Sequence, residues 1–374
     1  IGFEDSSEYF FSHLPQNTSF DGEEELRNAG YDLLDLYPEH LMNAYKRDEQ
    51  VDRLYQLLFQ QDPTCLCIIG PHGCGKTAII HNALKKHVTE KGLEERQRLR
   101  KIWYLDPLRI ISGMSIVGMW QRRFQAIISF VSRKKKKQNN DIVFIDNPVA
   151  LFRIGKSAQN SLTLADVLKP HLERRAFSLL IETTLEQWEK IQESDRRFAD
   201  LFQVIRIEVP NDSDAIAMMA NRRAEVERNT GCIFTTDSLR LLWKLSNRVS
   251  TRIKKPGAIS DTLQQLAAHS LSITNSKSTD TRPQDTGIAT IEADHVLAHF
   301  AKTHQFCQRI LDPQYPLSDA DISRFLDQRL IGQTPAKTCL AEIIHTIKAN
   351  LSNPQRPLAS ALFIGRKNRG RQSA

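Results

Sequence analysis

The sequence predicts an α/β protein with a five-stranded parallel sheet flanked by helices, followed by a smaller all-helical domain. Short apolar segments alternate with segments of helical periodicity in the first half of the chain, which is typical of parallel sheets. A glycine-rich motif directly follows the first apolar segment. Beyond residue 210 the periodicity is helical, and only residues 360–365 again resemble a strand. The five strands of the sheet are predicted at residues 65–69, 101–106, 141–146, 177–183 and 202–209.

The composition is that of an ordinary globular protein. The chain has 374 residues, of which 40% are hydrophobic and 25% are charged, and this length suffices for two or three domains. The net charge of +7 permits an acidic partner but does not indicate one by itself. The chain begins with Ile, which indicates a fragment or a trimmed sequence.

The apolar segments and the cysteines bear on the cellular setting. No apolar run approaches the roughly 20 residues of a membrane span, so we predict no membrane partner. The six cysteines form no C-x-x-C pairs. This pattern predicts neither a zinc site nor disulfides, and it favours a reducing, cytoplasmic setting.

The glycine-rich motif reads G-x-x-x-x-G-K-T at residues 70–77, and a predicted helix follows it. In this context the glycines let backbone amides point at phosphate oxygens, and the helix N terminus adds positive potential. We expect Lys76 to reach the β- and γ-phosphates and Thr77 to bind Mg²⁺. A turn that merely caps a helix is the alternative. The predicted nucleotide-binding residues are Gly70, Pro71, His72, Gly73, Cys74, Gly75, Lys76 and Thr77.

A carboxylate ends the third predicted strand. Asp146 follows four apolar residues, as does the aspartate that holds Mg²⁺ in many sites of this kind. Ligands of parallel sheets bind at the carboxyl ends of the strands, so we expect Gly70, Asp146 and Thr184 at one edge. The sequence therefore predicts ATP and Mg²⁺ as ligands, with Thr77 and Asp146 as the metal ligands.

Several short segments carry a family resemblance. Arg47-Asp48-Glu49-Gln50-Val51 precedes the motif, and residues 155–157, 166–172 and 182–185 follow it. With these segments the chain resembles the first ATPase module of the Clp/ClpB-type AAA+ protein unfoldases and protease regulators. Residues 330–333 and 351–357 resemble the start of such a protein's second module. No long charged helical insert separates the two, so the arrangement is more similar to ClpA than to ClpB.

The resemblance implies an organisation and a function. Its segments would be a lead-in (1–35), an AAA+ nucleotide-binding α/β domain (36–210), a helical lid domain with a polar linker (211–300) and a truncated start of a second AAA+ module (301–374). The polar linker is expected at residues 272–290. It implies ATP-dependent unfolding or remodelling of a protein substrate, as a chaperone or a protease regulatory subunit. The partners would be further copies in a homo-oligomeric ring and a protease or adaptor.

Two departures from the family pattern predict weakened ATP hydrolysis. The family has Glu after the Asp146 position, whereas Asn147 can orient a water but cannot accept its proton. The family's paired arginine fingers align with Asp200 and Leu201, although the pair at 196–197 lies one turn earlier and is a candidate substitute. The resemblance makes Asp146, Asn147 and Thr184 the catalytic residues. A nucleotide-gated assembly or scaffold subunit with little turnover is therefore the alternative to a motor.

Three further segments bear on function. One has two possible roles, one argues against a second ATP site, and one raises a further hypothesis. The family's substrate-gripping pore loop aligns with Ser115-Ile116-Val117-Gly118 and nearby Trp120, which could equally pack onto a helix. The second glycine-rich motif, at 365–372, has Arg371 and Gln372 in place of Lys-Thr, so we predict no second ATP site. The basic segment 133–137 raises a DNA-handling ATPase as a third hypothesis, but a solvated loop is the favoured interpretation.

Overall fold

The computed structural model describes most of the chain, and its described residues form two compact units that meet in sequence at Pro210 and Asn211. None of the helices in this part of the chain has the length and the apolar composition that a membrane span requires. The described residues are 20–92, 99–112, 119–133, 141–156, 161–249, 255–277, 289–304, 308, 312, 315, 317–330 and 332–349.

The first unit is built around a six-stranded sheet. Its strands are β1 (Gly30–Asp32), β2 (Cys65–Ile69), β3 (Ile102–Leu105), β4 (Ile142–Ile145), β5 (Ser178–Thr183) and β6 (Gln203–Arg206). Their order across the sheet is β1-β3-β4-β5-β2-β6. Strands β2 to β6 pair in parallel, which confirms the predicted parallel sheet.

The predicted number of strands was wrong, because β1 adds a sixth strand that pairs antiparallel with β3. With three residues, β1 is too short to show an alternating pattern. Its close pairing needs glycine, since a Cβ at Gly30 would lie 1.8 Å from the Tyr104 carbonyl oxygen. Residues 22–35, expected as part of the lead-in, form a helix, this strand and most of a short 3-10 turn that ends at Leu36, and Leu26 and Ala29 are buried.

Helices cover both faces of this sheet. They are α1 (Gly22–Ala29), α2 (Asp48–Leu58), α3 (Lys76–Lys91), α4 (Pro107–Ile111), α5 (Met119–Arg133), α6 (Leu164–Glu173), α7 (Leu185–Ser194) and α8 (Arg196–Ala199), with 3-10 turns at Leu33–Leu36 and Pro148–Phe152. One apolar cluster joins α2 and α3 to the sheet through residues such as Leu54 and Leu84. The other joins α1, α5, α6 and α7 through residues such as Phe124 and Leu168. Because both faces are covered, β4 is apolar and buried at every position.

The second unit is mainly helical. Its helices are α9 (Asp212–Thr230), α10 (Thr236–Val249), α11 (Gly257–Lys277), α12 (Ala293–His304), α13 (Asp319–Asp327) and α14 (Thr334–Lys348). A core that includes Val226, Leu263 and Phe300 holds the four helices α9, α10, α11 and α12 together. A smaller cluster around Leu326 joins α13 to α14.

The prediction of an all-helical second domain was wrong in one detail. Strands β7 (Ile233–Phe234) and β8 (Thr290–Ile291) form a parallel pair. Two residues per strand are too few to give a periodic signal. Helix α11 also continues past residue 272, where we expected the linker to begin. The strand predicted at 360–365 lies outside the described residues.

Candidate nucleotide-binding site

The order of the strands brings the predicted site residues to one edge of the sheet. Strand β5 lies between β2, which leads into the glycine-rich motif, and β4, which leads to Asp146. Ile145 pairs with Ile181, and Ile69 pairs with Thr183. The carboxyl ends of β2, β4 and β5 are therefore level with each other.

The backbone of the motif has the curl that its glycines predict. Gly73 and Gly75 have φ values of 80° and 98°, which side chains rarely tolerate. A Cβ at Gly70 would lie 2.6 Å from the Ile207 carbonyl oxygen. The Cys74 side chain is buried, and burial raises the pKa of its thiol, so this residue offers only its backbone to a ligand. Pro71 and His72, at the tip of the loop, are exposed.

Helix α3 begins directly at Lys76, and no side chain caps its N terminus. The amides of its first turn and the positive end of the helix dipole thus face the loop. The Lys76 side chain is buried, and its ammonium donates hydrogen bonds to the carbonyl oxygens of Gly70 (2.9 Å) and Pro71 (3.1 Å). The lysine charge therefore lies inside the loop, as in a site for phosphate.

The Thr77 hydroxyl donates to a carboxylate that is not among the predicted site residues. Its Oγ1 lies 2.9 Å from Glu182 Oε2 and 3.1 Å from Oε1. Burial raises the pKa of Glu182, while Lys76 and the Thr77 hydrogen bond oppose this shift and the Asp146 charge adds to it. An acidic residue near the end of an otherwise apolar strand, in the segment Ser-Leu-Leu-Ile-Glu-Thr, was the signal available in the sequence.

Asp146 directly follows β4, and its neighbour Tyr104 is likewise not among the predicted site residues. The Tyr104 hydroxyl, on β3, donates to its carboxylate at 3.2 Å from Oδ1 and 3.3 Å from Oδ2. Burial raises the pKa of Asp146, and the Tyr104 hydrogen bond opposes the shift. The ring of Tyr31, on β1, packs against Tyr104 with centroids 5.0 Å apart.

The other two predicted catalytic residues lie at strand ends on the same edge. Asn147 is exposed and precedes the 3-10 turn at 148–152, to which its side chain gives no cap. Thr184 caps α7: its hydroxyl accepts from the Gln187 amide at 3.3 Å, while its own amide donates to Gln187 Oε1 at 3.4 Å. In the structure Thr184 therefore acts as the N-cap of α7, and the catalytic roles of Asn147 and Thr184 stay predictions.

The remaining family-derived candidates are only partly described. Arg196 and Arg197 are exposed in α8, and Asp200 is exposed beyond it. Trp120 is 7% exposed and belongs to the core of the first unit, as the packing alternative expected. Residues 115–118 of the predicted pore loop and the second glycine-rich motif lie outside the described residues.

The donors at this edge suit a small, hard cation. Mg²⁺ prefers oxygen ligands and is usually bound by one or two carboxylates together with phosphate oxygens. The Thr77 hydroxyl and the Asp146 carboxylate are donors of that kind, and the Glu182 carboxylate lies beside them. The residues present therefore fit Mg²⁺ bound with a nucleotide.

The chain is similar in sequence to known AAA and Clp proteins. The family model "ATPase family associated with various cellular activities (AAA)" matches residues 66–210. Chaperone protein ClpB of Helicobacter hepaticus is 24% identical over 361 residues, which are 96% of this chain and 41% of that protein. A ClpA homolog protein of Fuscovulum blasticum is 25% identical over 323 residues, covering 85% of this chain and 38% of that protein.

The fold agrees with solved structures as well. A Saccharomyces cerevisiae Hsp104:casein complex in an extended conformation matches with a TM-score of 0.63 at 19% identity, over 89% of this chain and 54% of that chain. The chain spans less than half the length of the ClpB and ClpA relatives. Residues 66–210 therefore match the AAA ATPase family model, and over most of its length the chain is similar to the Clp-type ATPases.

Proposed function

We propose that this chain is an ATP- and Mg²⁺-binding module of a Clp-like machine that unfolds or remodels proteins, and that its ATP hydrolysis is weakened. The observation that carries the proposal is the phosphate loop, in which buried Lys76 and the uncapped start of α3 converge. Relatives named as a ClpB chaperone and a ClpA homolog support the choice of protein substrates. A similar Hsp104 structure is described as a complex with ATPγS and casein, which supports both ligand classes.

The loop can bind a triphosphate through groups that the fold already orients. The Lys76 ammonium, which now contacts two neutral carbonyl oxygens, would gain stronger charge-assisted hydrogen bonds to phosphate oxygens. Thr77 and Asp146 would hold Mg²⁺, and this ion supplies neutralisation of the phosphate charge. Asn147 would orient the attacking water without accepting its proton.

Weak ATP turnover follows because position 147 lacks a carboxylate that could act as the general base. A general base contributes about 10²–10⁴-fold to a rate, so an amide in its place slows hydrolysis by a factor of that order. An arginine finger contributes about 10³–10⁵-fold. Arg196 and Arg197 are exposed in α8 and are the available candidates to reach a nucleotide on a neighbouring copy. We propose that copies assemble into a ring in which this contact is made.

The setting and further partners are part of the same proposal. The five described cysteines are free thiols, which supports a reducing, cytoplasmic compartment. A protease or an adaptor would be the further partner, by analogy with the relatives. The DNA-handling alternative depends on residues 133–137, and all of these except Arg133 lie outside the described residues.

The test compares nucleotide binding with nucleotide turnover. Wild type should give saturable binding of a fluorescent ATP analogue and slow release of phosphate, and Lys76→Ala should abolish both. Asn147→Glu should raise turnover at least about 10-fold by restoring a base. Asn221→Glu, at an exposed position of α9, is the matched control and should change nothing. Absence of saturable binding would refute the proposal.

A nucleotide-gated assembly subunit is the second candidate, and Asn147 together with Asp200 and Leu201 favours it. In that case ATP would enlarge the assembly, measured by analytical ultracentrifugation, without unfolding a tagged substrate protein. Wild-type turnover at an ordinary motor rate that Lys76→Ala abolishes would exclude this candidate. The substrate assay should use the chain joined to an intact second module, because the relatives are more than twice as long.

A further inference from the structure

Glu182 is a carboxylate at the nucleotide site that the proposed mechanism does not yet use. It is the fifth residue of β5, and it faces Ile68 of β2 in the sheet register. Ile181, one residue earlier, pairs with Ile145 of β4, so Glu182 is level with Asp146. The central position of β5 thus places Glu182 between the strand of the phosphate loop and the strand of the metal-binding aspartate.

The face of the sheet on which Glu182 lies is also defined. Phe144 and Leu180, two residues before Asp146 and Glu182, belong to the apolar cluster that packs under α3. Side chains two residues apart on a strand point to the same face. Asp146 and Glu182 therefore continue this face at its carboxyl edge, where the first turn of α3 presents Thr77.

We propose that Glu182 is a positioning residue of the Mg²⁺ site, acting by taking the hydrogen of the Thr77 hydroxyl so that the oxygen lone pairs of Thr77 face the ion. The inference rests on the proposed nucleotide site and deepens it. A threonine hydroxyl has one hydrogen and two lone pairs. Because both Glu182 oxygens lie within 3.1 Å of Thr77 Oγ1, the hydrogen is directed at the carboxylate and the lone pairs point elsewhere.

The apolar surroundings of Glu182, which is itself partly buried, support a use for this charge. Carboxylates in apolar surroundings are usually paired or placed beside a metal, and the neighbours of Glu182 along β5 include the fully buried Leu180 and Ile181. The Lys76 ammonium is a nearby positive charge, but it donates hydrogen bonds to the loop carbonyls of Gly70 and Pro71. A cation held by Thr77 would add positive charge on the side of the site where Glu182 and Asp146 lie together.

A purely structural role makes a different prediction. If Glu182 only pinned α3 to β5, its loss would weaken nucleotide binding equally with and without Mg²⁺. If it orients Thr77 toward the ion, its loss would weaken binding only when Mg²⁺ is present. Partners of this kind around a metal typically change affinity about 10–100-fold.

The experiment measures the affinity for a fluorescent ATP analogue in Mg²⁺ and in EDTA, and takes the ratio of the two Kd values. Glu182→Gln should lower the Mg²⁺ enhancement about 10-fold or more while leaving the affinity in EDTA near that of wild type. In a Thr77→Ala background, Glu182→Gln should have no further effect, because Glu182 acts through Thr77. Glu186→Gln, at an exposed position four residues away, is the matched control and should behave as wild type.

Three results would overturn the inference: an unchanged ratio in Glu182→Gln, an equal loss of affinity in both conditions, or an effect that adds in full to that of Thr77→Ala. If the Gln variant does not fold, Glu182→Asp retracts the carboxylate by one methylene, and a wild-type ratio in that variant would overturn the inference. Failure of the wild-type chain to bind the analogue at all would refute the proposed function itself. The two failures are therefore distinct.

Discussion

The Tyr104 hydroxyl is hydrogen-bonded to the Asp146 carboxylate, at 3.2 Å from Oδ1 and 3.3 Å from Oδ2. This bond joins two neighbouring strands at the edge where the nucleotide is proposed to bind, and it constrains the carboxylate that would hold Mg²⁺. Tyr104 is in turn packed against Tyr31 of the antiparallel edge strand. The added strand β1 thus supports, through Tyr104, the carboxylate proposed to hold Mg²⁺.

Removing the Tyr104 hydroxyl should lower the free energy of unfolding by an amount that depends on Asp146. Tyr104→Phe should lower the free energy of unfolding by about 1 kcal/mol, because one hydrogen bond is lost. In an Asp146→Asn background the same change should cost clearly less, since the charged acceptor is gone. Urea unfolding of the four proteins measures this coupling. Tyr31→Phe is the control, and its free energy of unfolding should stay within about 0.5 kcal/mol of wild type. If the effects of Tyr104→Phe and Asp146→Asn add in full, the expectation is contradicted.

The buried Arg47 connects the segment before the phosphate loop to the loop itself. Its Nη2 donates to the carbonyl oxygens of Cys74 (3.2 Å), inside the loop, and Glu208 (2.7 Å), beyond β6. Arg47→Met should cost about 2 kcal/mol of stability, since bonds that involve a charged group are lost, and it should weaken nucleotide binding by releasing the loop. Chemical denaturation and a nucleotide titration measure the two effects. Arg53→Met, at an exposed position of α2, should alter neither.

The parts of the candidate site that depend on local spacing could be predicted from the sequence. Lys76 and Thr77 follow from a contiguous motif, and Asp146 follows from its place after an apolar strand. Glu182 and Tyr104 were missed, because their importance depends on which strands are neighbours across the sheet. That order is a property of the whole fold, and no window of the sequence contains it. The short strands β1, β7 and β8 were missed for the related reason that two or three residues show no period.

The exposed arginines of α8 should affect ATP hydrolysis only by reaching the nucleotide of a neighbouring copy of the chain. In an Asn147→Glu background with measurable turnover, Arg197→Ala should lower the rate by about 10³-fold if it is a finger, with little change in nucleotide affinity. Arg196→Ala tests the other candidate in the same way. Mixing each variant with Lys76→Ala chains should restore part of the activity if the finger acts across an interface. An unchanged rate in both arginine variants would leave α8 without this role.

Two buried histidines of α3 should make the first unit sensitive to acid. Burial lowers the pKa of His81 to about 4 from its ordinary value of 6.5, with the Lys85 charge adding to the effect. Burial likewise lowers the pKa of His87 to about 4, with help from Arg100 and Lys91. His81 accepts the Met42 amide at Nδ1 (3.0 Å), and the His87 ring stacks on Phe59 with centroids 3.9 Å apart.

The direction of the pH effect follows from these lowered pKa values. Both rings are favoured in the neutral form when folded, so their contribution to stability is present above pH 6.5 and is lost as the pH falls from 6.5 to about 4. Between pH 7.5 and 5.0 each histidine should remove on the order of 2 kcal/mol from the free energy of unfolding. Urea unfolding followed by tryptophan fluorescence at the two pH values measures the loss. His87→Leu and His81→Gln should each reduce it by about that amount. The exposed control His40→Gln should not, and a loss that persists unchanged in both buried variants would show that other groups cause it.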